Sequence, residues 1–171
     1  QVHSLAVQLS TFGIKRGDRV AIALPNSLET IISFLAVSTK ATAAPLNPAY
    51  KTDEFRFYME DTNARALITS TQGNKEVRTA APAGALQIGV DLDVNGEVTF
   101  SLDGKSTGPR RDESPDPADI ALVLHTSGTT SRPKRVPLTH ANLAISVRNV
   151  VETYRLIPED TSFCVMPLFH V

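Results

Sequence analysis

Three short apolar runs, Val20 to Leu24, Ala43 to Leu46 and Ala66 to Thr69, alternate with two longer stretches of helical spacing. Each run has strand length and is bounded by turn residues, so each is expected to be a buried strand. The first intervening stretch starts at Ser27, a residue type that caps helices. It runs to about Lys40 with Ile31, Ile32, Leu35 and Ala36 on its apolar face and Glu29 in the dipole-favoured first turn. In the second, Thr52 is the expected cap of a helix to about Asp61, with Glu54, Phe55, Tyr58 and Met59 in helical spacing. Strand, helix, strand, helix, strand implies parallel pairing through right-handed crossovers. The expected fold class is therefore α/β, with mostly parallel sheets covered by helices.

The flanking regions extend that pattern. Val2 to Thr11 has the spacing of an amphipathic helix, punctuated by Gly13 and Gly17. Leu86 to Val90 and Val98 to Leu102 are candidate strands, the second after an Asn95-Gly96 turn. Asp103 to Ala118, rich in Pro, Asp, Gly and Ser, has the composition of a surface linker. Ile120 to Leu124 is another buried strand. Thr139 can cap a helix from about His140 to Tyr154 that includes Leu143, Val147 and Val150, and Thr161 to Met166 is the last expected strand.

Directly after Ile120-Ala121-Leu122-Val123-Leu124 comes the run His125-Thr126-Ser127-Gly128-Thr129-Thr130-Ser131-Arg132-Pro133-Lys134. Hydroxyls and exposed backbone N–H groups donate to phosphate oxygens, glycine lets the backbone approach, and lysine adds a point charge. A hydroxyl-rich surface loop would share the composition, but Gly128, Pro133 and Lys134 at these spacings favour a nucleotide-phosphate cradle. It is not the common P-loop, which needs Gly before Lys and Ser or Thr after it. Pro133 and Arg135 stand there instead, which disfavours a GTPase-like protein. Pro137 biases Val136 away from helix, so Lys134-Arg135-Val136 is expected to be extended.

Thr126-Ser127-Gly128-Thr129-Thr130-x-x-Pro133-Lys134 resembles the phosphate loop of the adenylate-forming, or AMP-binding, superfamily, which includes acyl-CoA synthetases. Three further segments match in order: Gly17 to Ser27, Ala44-Pro45-Leu46-Asn47-Pro48, and Met166-Pro167-Leu168-Phe169-His170. Within the superfamily, Pro45 to Tyr58, Leu124 to Lys134 and Val136-Pro137-Leu138-Thr139 are most similar to the oxalate–CoA ligase branch. The resemblance implies part of the N-terminal domain of a ligase that joins a small-molecule carboxylate to CoA through an acyl-adenylate. ATP and coenzyme A would be cosubstrates, and Mg²⁺ would arrive with the ATP phosphates rather than on a protein metal site. Thr126, Ser127, Gly128, Thr129, Thr130 and Lys134 would hold phosphate, Lys134 also stabilising charge in catalysis. His170 would border the carboxylate pocket as the second catalytic candidate. Alternatives are a ligase for another acid, such as 4-coumarate or a medium-chain fatty acid, or a truncated nucleotide-binding protein without turnover. Relatives commonly carry Gly after the lysine. If that backbone needs positive φ, Arg135 would cost on the order of 1 kcal/mol; otherwise it can add a phosphate contact.

At 171 residues and 42% hydrophobic content the chain can build one ordinary core. A net charge of -1 argues against nucleic-acid or membrane-surface partners, and no apolar run approaches the roughly 20 residues of a transmembrane helix. The lone Cys164 lies in an apolar run and is expected to be a buried small hydrophobe. With no internal disulfide the chain suits a reducing compartment, and a cytoplasmic or peroxisomal location is expected. Ser127 has no evident triad partners, and His125 is expected to pack and hold the loop rather than react. The chain opens inside a helical pattern without Met and stops just past a candidate strand, as a piece of a longer enzyme would. The expected organisation is a first α/β lobe at 1–102, a linker at 103–118, and the phosphate-loop segment with the start of a second lobe at 119–171.

Overall fold

A computed structural model describes residues 1–73, 75–104, 115–126 and 133–170. The elements are α1 (Val2–Phe12), β1 (Arg19–Ala23), α2 (Leu28–Ser38), β2 (Thr42–Pro45), α3 (Thr52–Asp61), β3 (Ala66–Ser70), α4 (Lys75–Ala80), β4 (Leu86–Leu92), β5 (Val98–Asp103), β6 (Ile120–Thr126), β7 (Lys134–Thr139) and α5 (His140–Tyr154). The strands form one seven-stranded sheet in the order β5-β4-β3-β1-β2-β6-β7. Its five inner strands pair in parallel, and β5 and β7 close the two edges as antiparallel partners of β4 and β6. The mostly parallel α/β class expected from the alternating runs is the one observed.

The two-residue period of β1 explains why both faces are covered. Val20 and Ile22 face a core completed by Leu5, Leu9, Ala36 and Val37 from α1 and α2. Ala21 and Ala23 face the other way, into a core with Phe55 and Met59 from α3 and Val77 from α4. A strand buried on both faces must be apolar at every position, which is why these runs do not alternate with polar residues. Gly13 ends α1 at φ +96°, with its N–H on the carbonyls of the last turn. Ser27 caps α2, its hydroxyl accepting from the Thr30 N–H at 3.4 Å. Pro137 lies in β7, an edge strand, where a missing N–H is tolerated.

Several expectations are corrected. Helix α2 buries Thr30, Ser33, Ala36, Val37 and Ser38, whereas Ile31 and Leu35 remain 43% and 42% exposed. Small side chains let the helix approach the sheet closely, which rotates the larger ones off the contact line. The cap of α3 is Lys51 rather than Thr52, with the Glu54 carboxylate accepting from the Lys51 N–H at 2.9 Å. The short helix α4 was not anticipated, and Asp103 ends β5 rather than opening the linker. Thr161 to Met166 forms no strand, and Phe163 in its middle is 88% exposed. An apolar run becomes a strand only when it lies alongside an edge and pairs with it, and this run pairs with no described strand. Cys164 in that run is accordingly exposed rather than buried. Leu143, Val147 and Val150 lie on α5, which buries none of its residues against the described chain.

Candidate functional site

Strand β6 lies between β2 and β7, with its carboxyl end on the same side as that of its parallel neighbour β2. In open parallel sheets this edge is where ligands bind, because connecting loops and helix ends gather there. Thr126 pairs with Lys134 as the last rung of the β6–β7 ladder. Ser127, Gly128, Thr129 and Thr130, expected to hold phosphate, lie outside the described residues. What the structure places is the frame: two paired strands leading into and out of residues 127–132.

That frame is anchored to the end of α3. His125 Nε2 lies 2.9 Å from Asp61 Oδ2. A carboxylate only accepts, so this nitrogen carries the proton of the contact. The His125 side chain is 6% exposed and that of Asp61 39%. One rung away, Arg135 pairs with His125 across the ladder, and its Nη1 donates to the Asp61 carbonyl. A cation at a helix carboxyl end also opposes the negative end of the helix dipole. Arg135 therefore sits in ordinary extended strand; the positive-φ residues other than glycine are Asn63 and Arg155 among those described. The possible backbone cost of Arg135 is not incurred, and the guanidinium of this residue braces the hairpin against α3.

A cavity of about 400 Å³ opens beside this anchor, lined by Asn47, Tyr50, Tyr58, Thr126 and His170 among others. The His125 ring meets Tyr58 edge-on at 4.7 Å, and Tyr58 stacks on Tyr50 at 4.9 Å. Burial, and then the hydrogen bond with Tyr58, push the Tyr50 phenol above its ordinary range, so it is a neutral hydroxyl at physiological pH. A second cavity of about 330 Å³ is apolar, with Ile31, Phe34, Leu35, Leu124 and Leu168 on its walls. His170 borders both cavities. Of the expected site residues, the structure thus brings Thr126 and His170 to one cavity and sets Lys134 opposite Thr126 on the neighbouring strand.

Sequence reading missed Asn47, Tyr50, Tyr58 and Asp61 as members of this site. Tyr58 and Asp61 are spaced as neighbours on one helix face, a signal that was available. Nothing local paired that face with His125. Chemically, the carboxyl edge offers hydroxyls, a carboxamide, an imidazole and an ammonium group, a donor set suited to anionic oxygens. Among the described residues no group of three or more His, Cys, Asp or Glu is arranged to hold a metal ion. Among them, too, no helix is long and apolar enough to cross a membrane.

The family model described as AMP-binding enzyme matches residues 1–171. The chain is 46% identical over 168 residues to an oxalate–CoA ligase of Arabidopsis thaliana, covering 95% of this chain and 33% of that protein. It is 41% identical over 182 residues to a probable CoA ligase of Humulus lupulus, covering 99% and 33%. The fold superposes on ATP-bound MatB from Rhodopseudomonas palustris with a TM-score of 0.78 at 26% identity, covering 99% of this chain and 34% of that one. The chain spans about a third of the length of the curated relatives it matches.

Proposed function

The chain belongs to the AMP-binding enzyme family, and from that premise we propose that it forms the phosphate-loop part of an AMP-forming carboxylate–CoA ligase, with oxalate as the acid. The observation that carries this reading is the carboxyl-edge cavity, where His170 and Thr126 meet beside the hairpin that bears residues 127–132. In the reaction, a substrate carboxylate oxygen attacks the α-phosphorus of ATP. The bond to the bridging oxygen breaks, and pyrophosphate leaves with its electron pair. The CoA sulfur then attacks the acyl carbon and AMP leaves. Thr126, Ser127, Gly128, Thr129, Thr130 and Lys134 hold the β- and γ-phosphates, and Lys134 offsets charge gathering on the leaving pyrophosphate. Mg²⁺ bound to the nucleotide phosphates would supply further charge neutralisation there. His170 faces the acid, where an imidazole N–H can donate to a carboxylate oxygen.

The cavity chemistry supports a small, oxygen-rich acid. The lining near His170 supplies the Asn47 amide, the Thr126 hydroxyl and the neutral Tyr50 phenol. The 46% identity to an oxalate–CoA ligase points the same way. A specific observation favours a second reading: the apolar cavity on the other side of His170 would suit a longer or aromatic acid. In either case β6 and β7 continue the first sheet, while the unburied side chains of α5 fit a helix that opens a second lobe in 119–171.

The test is ATP–pyrophosphate exchange by the full-length protein carrying this chain, with oxalate, 4-coumarate and hexanoate compared at equal concentration. Oxalate-dependent exchange, lost in Lys134→Ala and weakened in its dependence on acid by His170→Ala, is the expected result. Exchange driven by 4-coumarate or hexanoate instead would move the assignment to the apolar cavity. ATP binding without exchange for any acid would leave a nucleotide-binding protein.

A further inference from the structure

His170 ends a segment that has no strand to hold it. Residues 161–166 are irregular and exposed, and α5 before them buries none of its residues. Even so, the turn that follows arrives at the rim of both cavities. The contacts that bring it there start 140 residues earlier, in the turn after β1.

Asn26 Nδ2 donates to the Met166 carbonyl at 3.0 Å, and Asn26 Oδ1 accepts from the Leu168 N–H at 2.8 Å. These two groups flank Pro167. A neighbouring strand in a parallel ladder bonds in the same way, to the carbonyl before a residue and the N–H after it. The side-chain amide of Asn26 thus stands in for one residue of a missing strand. Proline suits the middle position, because its nitrogen has no proton to leave unpaired. Beyond the clamp, the His170 N–H donates back to the Pro167 carbonyl at 3.1 Å, which turns the chain toward the cavities. Leu168, one residue past Pro167, enters the wall of the apolar cavity.

We propose that Asn26 is a positioning residue: its carboxamide fixes residues 166–168 and through them sets the imidazole of His170 at the rim of the two cavities. The geometric claim stands on the two hydrogen bonds; its kinetic consequence rests on the role of His170 given above. No other side-chain type of this length can both donate to one backbone group and accept from the next. The substitution Asn26→Asp keeps the acceptor for the Leu168 N–H but sets a second negative oxygen against the Met166 carbonyl. The substitution Asn26→Ala keeps neither bond.

The experiment uses the full-length protein with Asn26→Ala, Asn26→Asp, His170→Ala and the Asn26→Ala/His170→Ala double variant. Asn26 is exposed in a turn, so its removal leaves the core intact. Amide hydrogen exchange at Leu168 is measured first, and then the acid KM and the kcat of pyrophosphate exchange. The expected result is exchange at Leu168 at least roughly tenfold faster in Asn26→Ala, as loss of one backbone hydrogen bond allows, with Asn26→Asp in between. Asn26→Ala should also raise the acid KM in the same direction as His170→Ala, and the double variant should be no worse than His170→Ala alone. Unchanged Leu168 exchange in Asn26→Ala would overturn the proposal, and so would effects of the two substitutions that multiply. A silent His170→Ala would remove the catalytic role of that histidine, while the exchange arm would still decide whether Asn26 is the clamp.

Discussion

Replacing Asp61 with Ala tests the anchor between α3 and the β6–β7 pair. The substitution removes the acceptor of the His125 Nε2 proton and leaves that donor in a side chain only 6% exposed. A buried donor without a partner costs about 1–3 kcal/mol. Two effects reduce that figure. Asp61 is 39% exposed, so water reaches part of the vacated space. Asp61 also ends α3, where losing a negative charge returns about 0.3–0.5 kcal/mol from the helix dipole. The Arg135 bond survives, because it goes to the backbone carbonyl. The net expectation is a loss of about 1–2 kcal/mol, read as a lower urea midpoint at unchanged slope. Asp53→Ala is the control. Asp53 pairs with Arg56 one helical turn on at 2.9 Å, but its side chain is 92% exposed, and such pairs contribute under about 1 kcal/mol. Asp61→Asn should recover much of the loss, because its carbonyl still accepts from an imidazole N–H. If Asp61→Ala and Asp53→Ala shift the midpoint equally, the anchor contributes nothing beyond a surface pair and the reasoning fails.

Other expectations follow from packing and charge. Phe55→Ala, at a fully buried position beneath α3, should cost about 3–5 kcal/mol in the same unfolding measurement. Gly89 in β4 is a close-approach site: a Cβ there would lie 2.6 Å from the Thr71 hydroxyl and 2.7 Å from that of Ser101. The Thr71 hydroxyl is itself held by Asp91 at 2.6 Å, so Gly89→Ala should destabilise by about 1 kcal/mol through overpacking, and Gly89→Val by more. The Arg16 guanidinium, and then the Asp116 N–H, hold the Asp119 carboxyl below its ordinary range. The folded state thus binds this proton less readily than the unfolded chain. Its stabilising contribution is complete above about pH 4 and disappears as pH falls through the lower folded value. Acid unfolding should therefore be less steep in Asp119→Asn than in the parent, and an identical acid limb would contradict the assignment.

The elements of this protein are legible because their causes are local. The uninterrupted apolar run of β1, the hydroxyl of Ser27 one residue before α2, and Gly13 at φ +96° each act within a turn or two of chain. The alternation of strands and helices then implies a parallel sheet, since helical crossovers return the chain in the same direction. The residues proposed to hold phosphate stand out for a similar reason: hydroxyls, glycine and lysine that surround one group on a single loop must be close in sequence. Tertiary structure decided the rest. Whether Thr161 to Met166 became a strand depended on an edge it did not find, and which face of α2 was buried depended on how closely small side chains let it approach. His125 met Asp61 across 64 residues and Asn26 met Met166 across 140. Such pairs obey no local period. They exist because the order of strands in the sheet brings distant ends together, and hydrogen-bond geometry then selects the partners within reach.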